Sequence, residues 1–235
     1  MFNPQPRLER LNIGGVHDVW VADDVLLEPD TLRQRAIAGR ANFQAAPHNA
    51  YPGLEWRQGP EVDSPLSEFF MLHLRQKLGA RRTLGMYSRL SLATLQPPQL
   101  RPLQRLCHRD RMGVEAGQSV AACTLYLFAN PLLGGTSFYL PKRPIEALNA
   151  DIRRWAAMDD AAFTAEMAAP PAYLAAGNAD FELAAVVPAA FNRAVFYGGS
   201  HFHSSHITQP ELLSADPAIG RLTLNGFFIC RRAAA

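Results

Sequence analysis

His108-Arg109-Asp110, followed far downstream by His201-Phe202-His203-Ser204-Ser205-His206, holds the residue types with the most chemical potential in the chain. Two imidazoles and one carboxylate on one side of a metal are the ligands a protein offers to a non-haem Fe(II) centre. In an extended segment residues two apart point the same way. His108 and Asp110 therefore project together, while Arg109 and Arg111 point away. The third ligand must come from elsewhere in the fold, and four of the seven histidines fall in these two clusters. His201 and His203 share parity, so alternation does not choose between them, and His206 is a further candidate.

The elements that must bring these residues together are mostly strands. Leu84, Met86, Ser88, Leu90, Leu92 and Thr94 form the more apolar face of a half-buried strand, with Gly85, Tyr87, Arg89, Ser91 and Ala93 opposite. Pro97-Pro98 breaks it. Strands are expected again over 120–128, over 136–140 after the Gly134-Gly135 turn, over 191–197, and over 220–230. Many short strands joined by Gly and Pro turns point to a sandwich or jelly roll. Sheet strands distant in sequence lie side by side in such a roll, so a histidine about ninety residues after His108 is well placed.

The remaining segments read differently. Residues 13–40 predict a short strand around Val19-Trp20-Val21 and a helix opened by Pro29-Asp30. Residues 46–64 read as loop. Ser64-Pro65 opens a helix to Gly79, whose His73 reads as packed or exposed and not as functional. Between Pro141 and Pro188, Leu148, Ile152 and Trp155 mark one amphipathic helix. Asp159-Asp160 caps another carrying Phe163 and Met167. The expected fold is mainly β with helices (α+β): a double-stranded β-helix of jelly-roll, cupin-like form. It is expected to be one domain over 1–235. Residues 1–83 are an N-terminal elaboration, 84–140 and 191–232 the core, and 141–190 a helical insertion that folds over the site mouth and helps choose the substrate.

Composition narrows the function classes. The chain has 235 residues, 48% hydrophobic and 19% charged, with a formal net charge of +2. Such a chain is an ordinary globular protein, with no general attraction to nucleic acid or an anionic membrane. No secretory signal is expected, since no apolar stretch follows Arg7, and no run is long enough to span a bilayer. Cys107, Cys123 and Cys230 are odd in number and far apart, which argues for reduced thiols in the cytoplasm. Cys107 reads as a small buried residue. The arginines from Arg101 to Arg111 lack interleaved aromatics and read as a solvated face, not a nucleic-acid surface.

On these residues the sequence resembles the iron(II)/2-oxoglutarate-dependent dioxygenases, particularly the prolyl 4-hydroxylase-like branch, over roughly residues 84–232. His108-Arg109-Asp110 matches that family's His-x-Asp. Cys123 to Phe128 followed by Gly134 to Phe138 resembles its strand, turn and Gly-Gly strand. Asn192 to Tyr197 with His203-Ser204 resembles the strand and distal histidine. Arg221-Leu222-Thr223 is similar to the Arg-x-Ser/Thr that holds the co-substrate. The resemblance implies that His108, Asp110 and His203 bind Fe(II), with His206 or His201 as the alternative third ligand. It implies that Arg221 pairs through its planar fork with the far carboxylate of 2-oxoglutarate. Thr223, Asn225 and the Tyr126 phenol would assist, and Arg193 is the fallback cation.

The implied activity is hydroxylation of a small molecule or of an amino-acid or peptide side chain. The alternatives are a non-catalytic, cupin-like metal- or ligand-binding protein, or a metal-dependent hydrolase or isomerase in which the ion acts as Lewis acid. The apolar helices expected at 65–79 and 144–157 leave a homodimer open.

Overall fold

A computed structural model describes residues 1–46, 50–110 and 114–233. Arg111, expected to point away from the site, lies outside these residues, as do positions 47–49 of the expected loop. The chain runs β1 (Arg7–Ile13), β2 (His17–Asp23), α1 (Pro29–Ala38), β3 (Gln44–Ala45), β4 (Gly53–Arg57), α2 (Pro60–His73) and β5 (Ala80–Ala93). Then follow β6 (Gln118–Tyr126), β7 (Gly135–Pro141), α3 (Ile145–Ala156), α4 (Asp160–Met167), β8 (Phe181–Val187), β9 (Ala194–Gly198), β10 (Phe202–His206) and β11 (Arg221–Arg232).

Eight strands form an antiparallel sheet in the order β1-β2-β9-β6-β11-β5-β4-β3, and three form a second in the order β10-β7-β8. The protein is thus mostly β with four helices among the described residues. The strand alternation read from the sequence decides which side chain meets which layer. From β5 and β11, Leu90, Leu92, Leu222, Leu224 and Phe228 face outward into a core closed by α1 and α2. Phe70 of α2 stacks on Phe228 with ring centroids 3.9 Å apart. From β6, β9 and β11, Tyr126, Val195, Tyr197 and Phe227 face inward and share a cluster with Phe138 of β7 and Val187 of β8. The large sheet is therefore covered on both faces, which is why β6 is buried along nearly its whole length instead of alternating with solvent.

A third cluster closes the outer face of the small sheet. Leu148 and Trp155 of α3 and Phe163 of α4 pack with Tyr139, Phe181 and Phe202. Arg105 joins this layer: it is buried, lies over Phe163, and donates to Thr164 Oγ1 at 2.9 Å and to the Ala169 carbonyl at 3.1 Å. The expected solvated face of the arginine run is corrected at this residue, because Arg105 ties the segment before His108 to α4.

Several elements differ from the sequence reading. Residues 46–64 are not all loop, since they contain β4 and the start of α2. Helix α2 opens at Gly59-Pro60, and Pro65, expected at its start, sits inside it. Near a helix start a proline removes only one backbone hydrogen bond. Residues 141–190 are not purely helical, because β8 completes the small sheet. Strand β1, which pairs along β2 from Arg7–Asp23 to Ile13–His17, was not anticipated.

Candidate metal centre

His108 and His203 meet as a hydrogen-bonded antiparallel pair. Each backbone N–H donates to the other's carbonyl at 2.9 Å. Directly opposed residues send their side chains to the same face, and the two rings lie 4.4 Å apart. Strand β10 is placed for this by its other edge, where His203 pairs with Phe138 and Phe202 with Tyr139 of β7. Asp110, two residues beyond His108, returns to the same face, as the His-x-Asp spacing predicts.

The three side chains converge. Asp110 Oδ1 lies 3.7 Å from His108 Nε2, and Asp110 Oδ2 lies 3.4 Å from His203 Nε2. One ligand atom from each of the three lies within 4.8 Å of the others, so they form a group that could hold a metal ion. Metal bonds of ~2.1 Å at right angles separate ligand atoms by about 3 Å, so little movement is needed to close on an ion. Asp110 Oδ2 is buried and has no hydrogen-bond partner among the described residues. A buried carboxylate oxygen left unbonded is costly, and a cation would satisfy it. His203 Nδ1 lies 3.0 Å from the His201 carbonyl. That contact makes Nδ1 the protonated nitrogen and leaves the Nε2 lone pair toward Asp110, the outer-contact pattern of metal-binding histidines. The His108 ring opens onto the cavity, but the concave site and the neighbouring His203 push its pKa down to about 4. It is therefore neutral and able to coordinate near neutral pH.

The triad lies on a cavity of about 520 Å³, within the size range of small-molecule sites. Arg221, Thr223 and Asn225 of β11 also line it. The long connection after β10 thus returns β11 in register beside β5, with Arg221 opposite Ala93. Arg221 is fully buried. Its Nε donates to the Leu133 carbonyl at 3.0 Å and its Nη2 to the Gly135 carbonyl at 2.7 Å. One edge of the guanidinium is thus held by the turn before β7. Asn225 Nδ2 donates to Ser91 Oγ at 3.0 Å and to Thr223 Oγ1 at 3.1 Å, while its Oδ1 accepts from Thr124 Oγ1 at 3.0 Å.

Other expected residues fall elsewhere. His201 precedes β10, and its ring packs tilted against that of His17 with centroids 4.1 Å apart. His206 lies on the opposite face of β10 from His203, with Nδ1 2.8 Å from Ser137 Oγ. Neither belongs to the group that could hold a metal ion. Tyr126 is fully buried and does not line the cavity. Its phenol is 2.8 Å from Thr136 Oγ1, which does. Arg193 makes a two-point ion pair with Asp23 at 2.6 and 3.0 Å on the large sheet, so it is neither exposed nor in the cavity.

Some lining residues were not anticipated. Asn149, Ile152 and Arg153 of α3 face the cavity, and their i, i+3, i+4 spacing was a readable signal. Arg89 lines it too, fixed by Glu55 through Nε–Oε1 at 2.9 Å and Nη1–Oε2 at 3.0 Å. Tyr51 comes from a Pro- and Gly-rich stretch with no pattern to reveal it.

Fold and site together define a two-sheet β protein with a two-histidine, one-carboxylate group in a polar-floored cavity. The chain belongs to the family described as a family of unknown function (DUF6445), which it matches over residues 4–228. No curated protein matches it. Among solved structures it is similar to the non-heme alpha-ketoglutarate-dependent carbocyclase SnoK from nogalamycin biosynthesis, at 11% identity over 90% of this chain and 79% of that one, with a TM-score of 0.49. EvdO2 from Micromonospora carbonacea var. aurantiaca is 13% identical over 98% and 96% of the two chains, with a TM-score of 0.46. HygX from Streptomyces hygroscopicus, solved with nickel and 2-oxoglutarate bound, is 11% identical over 89% and 82%, with a TM-score of 0.47.

Proposed function

We propose that the protein is an Fe(II)- and 2-oxoglutarate-dependent oxygenase, built as one domain on a double-stranded β-helix, that hydroxylates a small molecule or an amino-acid or peptide side chain. The observation that carries this reading is the convergence of His108 Nε2, His203 Nε2 and the unbonded Asp110 Oδ2 on a cavity that also holds a buried arginine.

His108, Asp110 and His203 would hold the metal. When bound, Fe(II) and 2-oxoglutarate would supply the oxidising power, drawn from dioxygen, that breaks a substrate C–H bond. The chain's own residues do the rest. The His201 carbonyl keeps the His203 proton on Nδ1. Arg221, clamped at Nε and Nη2, presents its remaining Nη1 edge and a positive charge to the far carboxylate of the co-substrate. Thr223, whose Oγ1 accepts from Asn225, lies on the same strand face as Arg221 and would add a hydroxyl contact to the same carboxylate. Asn225 serves as the bracket that orients Thr223. With a substrate seated in the cavity, its aromatic and aliphatic walls would exclude water and strengthen each of these polar contacts. The buried thiols of Cys107, Cys123 and Cys230 support a reducing, cytoplasmic setting. No described helix is long and apolar enough to cross a membrane.

One observation favours a second reading, a non-catalytic cupin-like binding protein. The Nε and Nη2 groups of Arg221 already have main-chain acceptors, so its burial needs no ligand to explain it. Succinate formation separates the two. With Fe(II), 2-oxoglutarate and air, the wild-type chain is expected to release succinate. His108→Ala should lower this by more than the roughly 10–100-fold that loss of an outer metal contact costs. A folded, Fe(II)-loaded chain that forms no succinate above a protein-free blank contradicts the oxygenase reading.

A further inference from the structure

We propose that α3 carries an anion-recognition subsite at the mouth of the cavity, where Arg153, flanked by Asn149 and Arg109, takes a carboxylate or phosphate group of an otherwise apolar small substrate. The proposal deepens the oxygenase reading and rests on it for the word substrate, though not for the binding.

The charges in the cavity are lopsided. Among the described residues four arginines line it, Arg89, Arg109, Arg153 and Arg221, against one carboxylate, Asp110. Three of the four have structural work that accounts for their position. Arg89 is neutralised at two points by Glu55. Arg221 is held by two main-chain carbonyls deep in the floor. Arg109 lies 4.4 Å over the Phe202 ring and donates to Asn149 Oδ1.

Arg153 differs, because it has no hydrogen bond or ion pair with any described residue. Its neighbour Arg154 is occupied by Asp151 and Glu166 at 2.9 and 2.8 Å. Arg153 therefore stands on the cavity side of the helix with its fork unengaged, the arrangement that suits two-point capture of an oxyanion.

The apolar half of the ligand is specified by what lies beside Arg153. Ile152 on the same helix face, with Leu103, Leu106 and Leu174, lines the neighbouring wall. A ligand with one anionic end and a hydrocarbon or aromatic body fits both features. A neutral polar ligand fits neither. Ile152 packs beside Leu148 and Trp155 at the edge of the buried cluster, so the apolar wall grades into the polar Asn149–Arg153 edge of the same helix.

The test is binding, without turnover. The metal-free full chain is titrated with phenylacetate, phenyl phosphate and phenylacetamide, followed by ligand-observed NMR. At least one of the two anions is expected to bind tenfold or more tightly than the isosteric amide, about 1.4 kcal/mol. Whichever binds tighter identifies the group as carboxylate or phosphate. The exposed substitution Arg153→Gln should abolish the preference, and Arg153→Glu should reverse it. An amide that binds as well as both acids, or a preference that survives Arg153→Gln, overturns the proposal. Metal uptake by the wild-type chain is measured separately. Arg153-dependent acid binding without metal uptake would sink the oxygenase reading alone, and metal uptake without acid preference would sink this one alone.

Discussion

Asp110 concentrates the tension in the site. Its Oδ2 is buried without a hydrogen-bond partner, a situation that costs about 1–3 kcal/mol for a neutral group and more for a charged one. Sites kept for function commonly carry such a cost. Asp110→Asn is therefore expected to make the metal-free protein more stable by about 1 kcal/mol or more, seen as a higher urea midpoint, and to abolish stabilisation by added divalent metal. A metal-free variant less stable than wild type would show that Asp110 is a structural anchor. At this scale much was readable in the sequence. The parity of His108 and Asp110 follows from strand geometry alone, and the alternation of Arg221, Thr223 and Asn225 put all three on one face. The choice among three histidines was not readable from alternation, because it depends on which residue sits opposite His108, and only the pairing of β10 with β7 decides that. The commitment of Tyr126 to Thr136 was equally hidden, since a phenol's partner is a property of a neighbouring strand.

Elements with strong apolar alternation, such as β5 and β11, declared themselves. Strand β10 did not, because Phe-His-Ser-Ser-His has no apolar period. It is a strand because β7 on one edge and His108 on the other supply hydrogen-bond partners. Strand β8 was masked by an alanine-rich setting that reads as helix, and Ser64-Pro65 imitated a helix start one turn inside α2. The turn before β7 deserves a substitution for what it holds. Gly134 has φ +78°, and a Cβ there would come 1.7 Å from the His206 carbonyl oxygen. The residues on either side of it, Leu133 and Gly135, supply the two carbonyls that clamp Arg221. Gly134→Ala is expected to cost more than about 1 kcal/mol of stability, because both the dihedral and the contact must be relieved by moving β10 or the turn. It should also weaken 2-oxoglutarate binding at least as strongly as metal binding, measured by calorimetry. Unchanged stability and co-substrate affinity would mean that the turn does not set the position of Arg221.

Across the whole molecule the two sheets divide the labour. The large sheet, packed on both faces, is the rigid wall that carries Arg221, Thr223 and Asn225. The small sheet carries His203, the segment before β6 that is bridged to β10 carries His108 and Asp110, and α3 packs with the small sheet while three of its residues line the cavity. Sequence alternation could say which residues face inward, but not that the two inward faces enclose one cavity, because that depends on how the sheets stack. On the proposed function, metal and co-substrate share this cavity, so their binding is expected to be coupled. The most direct measurement is calorimetric titration of the oxygen-free chain with 2-oxoglutarate, with and without Fe(II). One Fe(II) per chain is expected, with 2-oxoglutarate binding at least tenfold more tightly when Fe(II) is present and both effects lost in His203→Ala. A folded wild-type chain that takes up no Fe(II), or binds 2-oxoglutarate equally with and without it, would contradict the account.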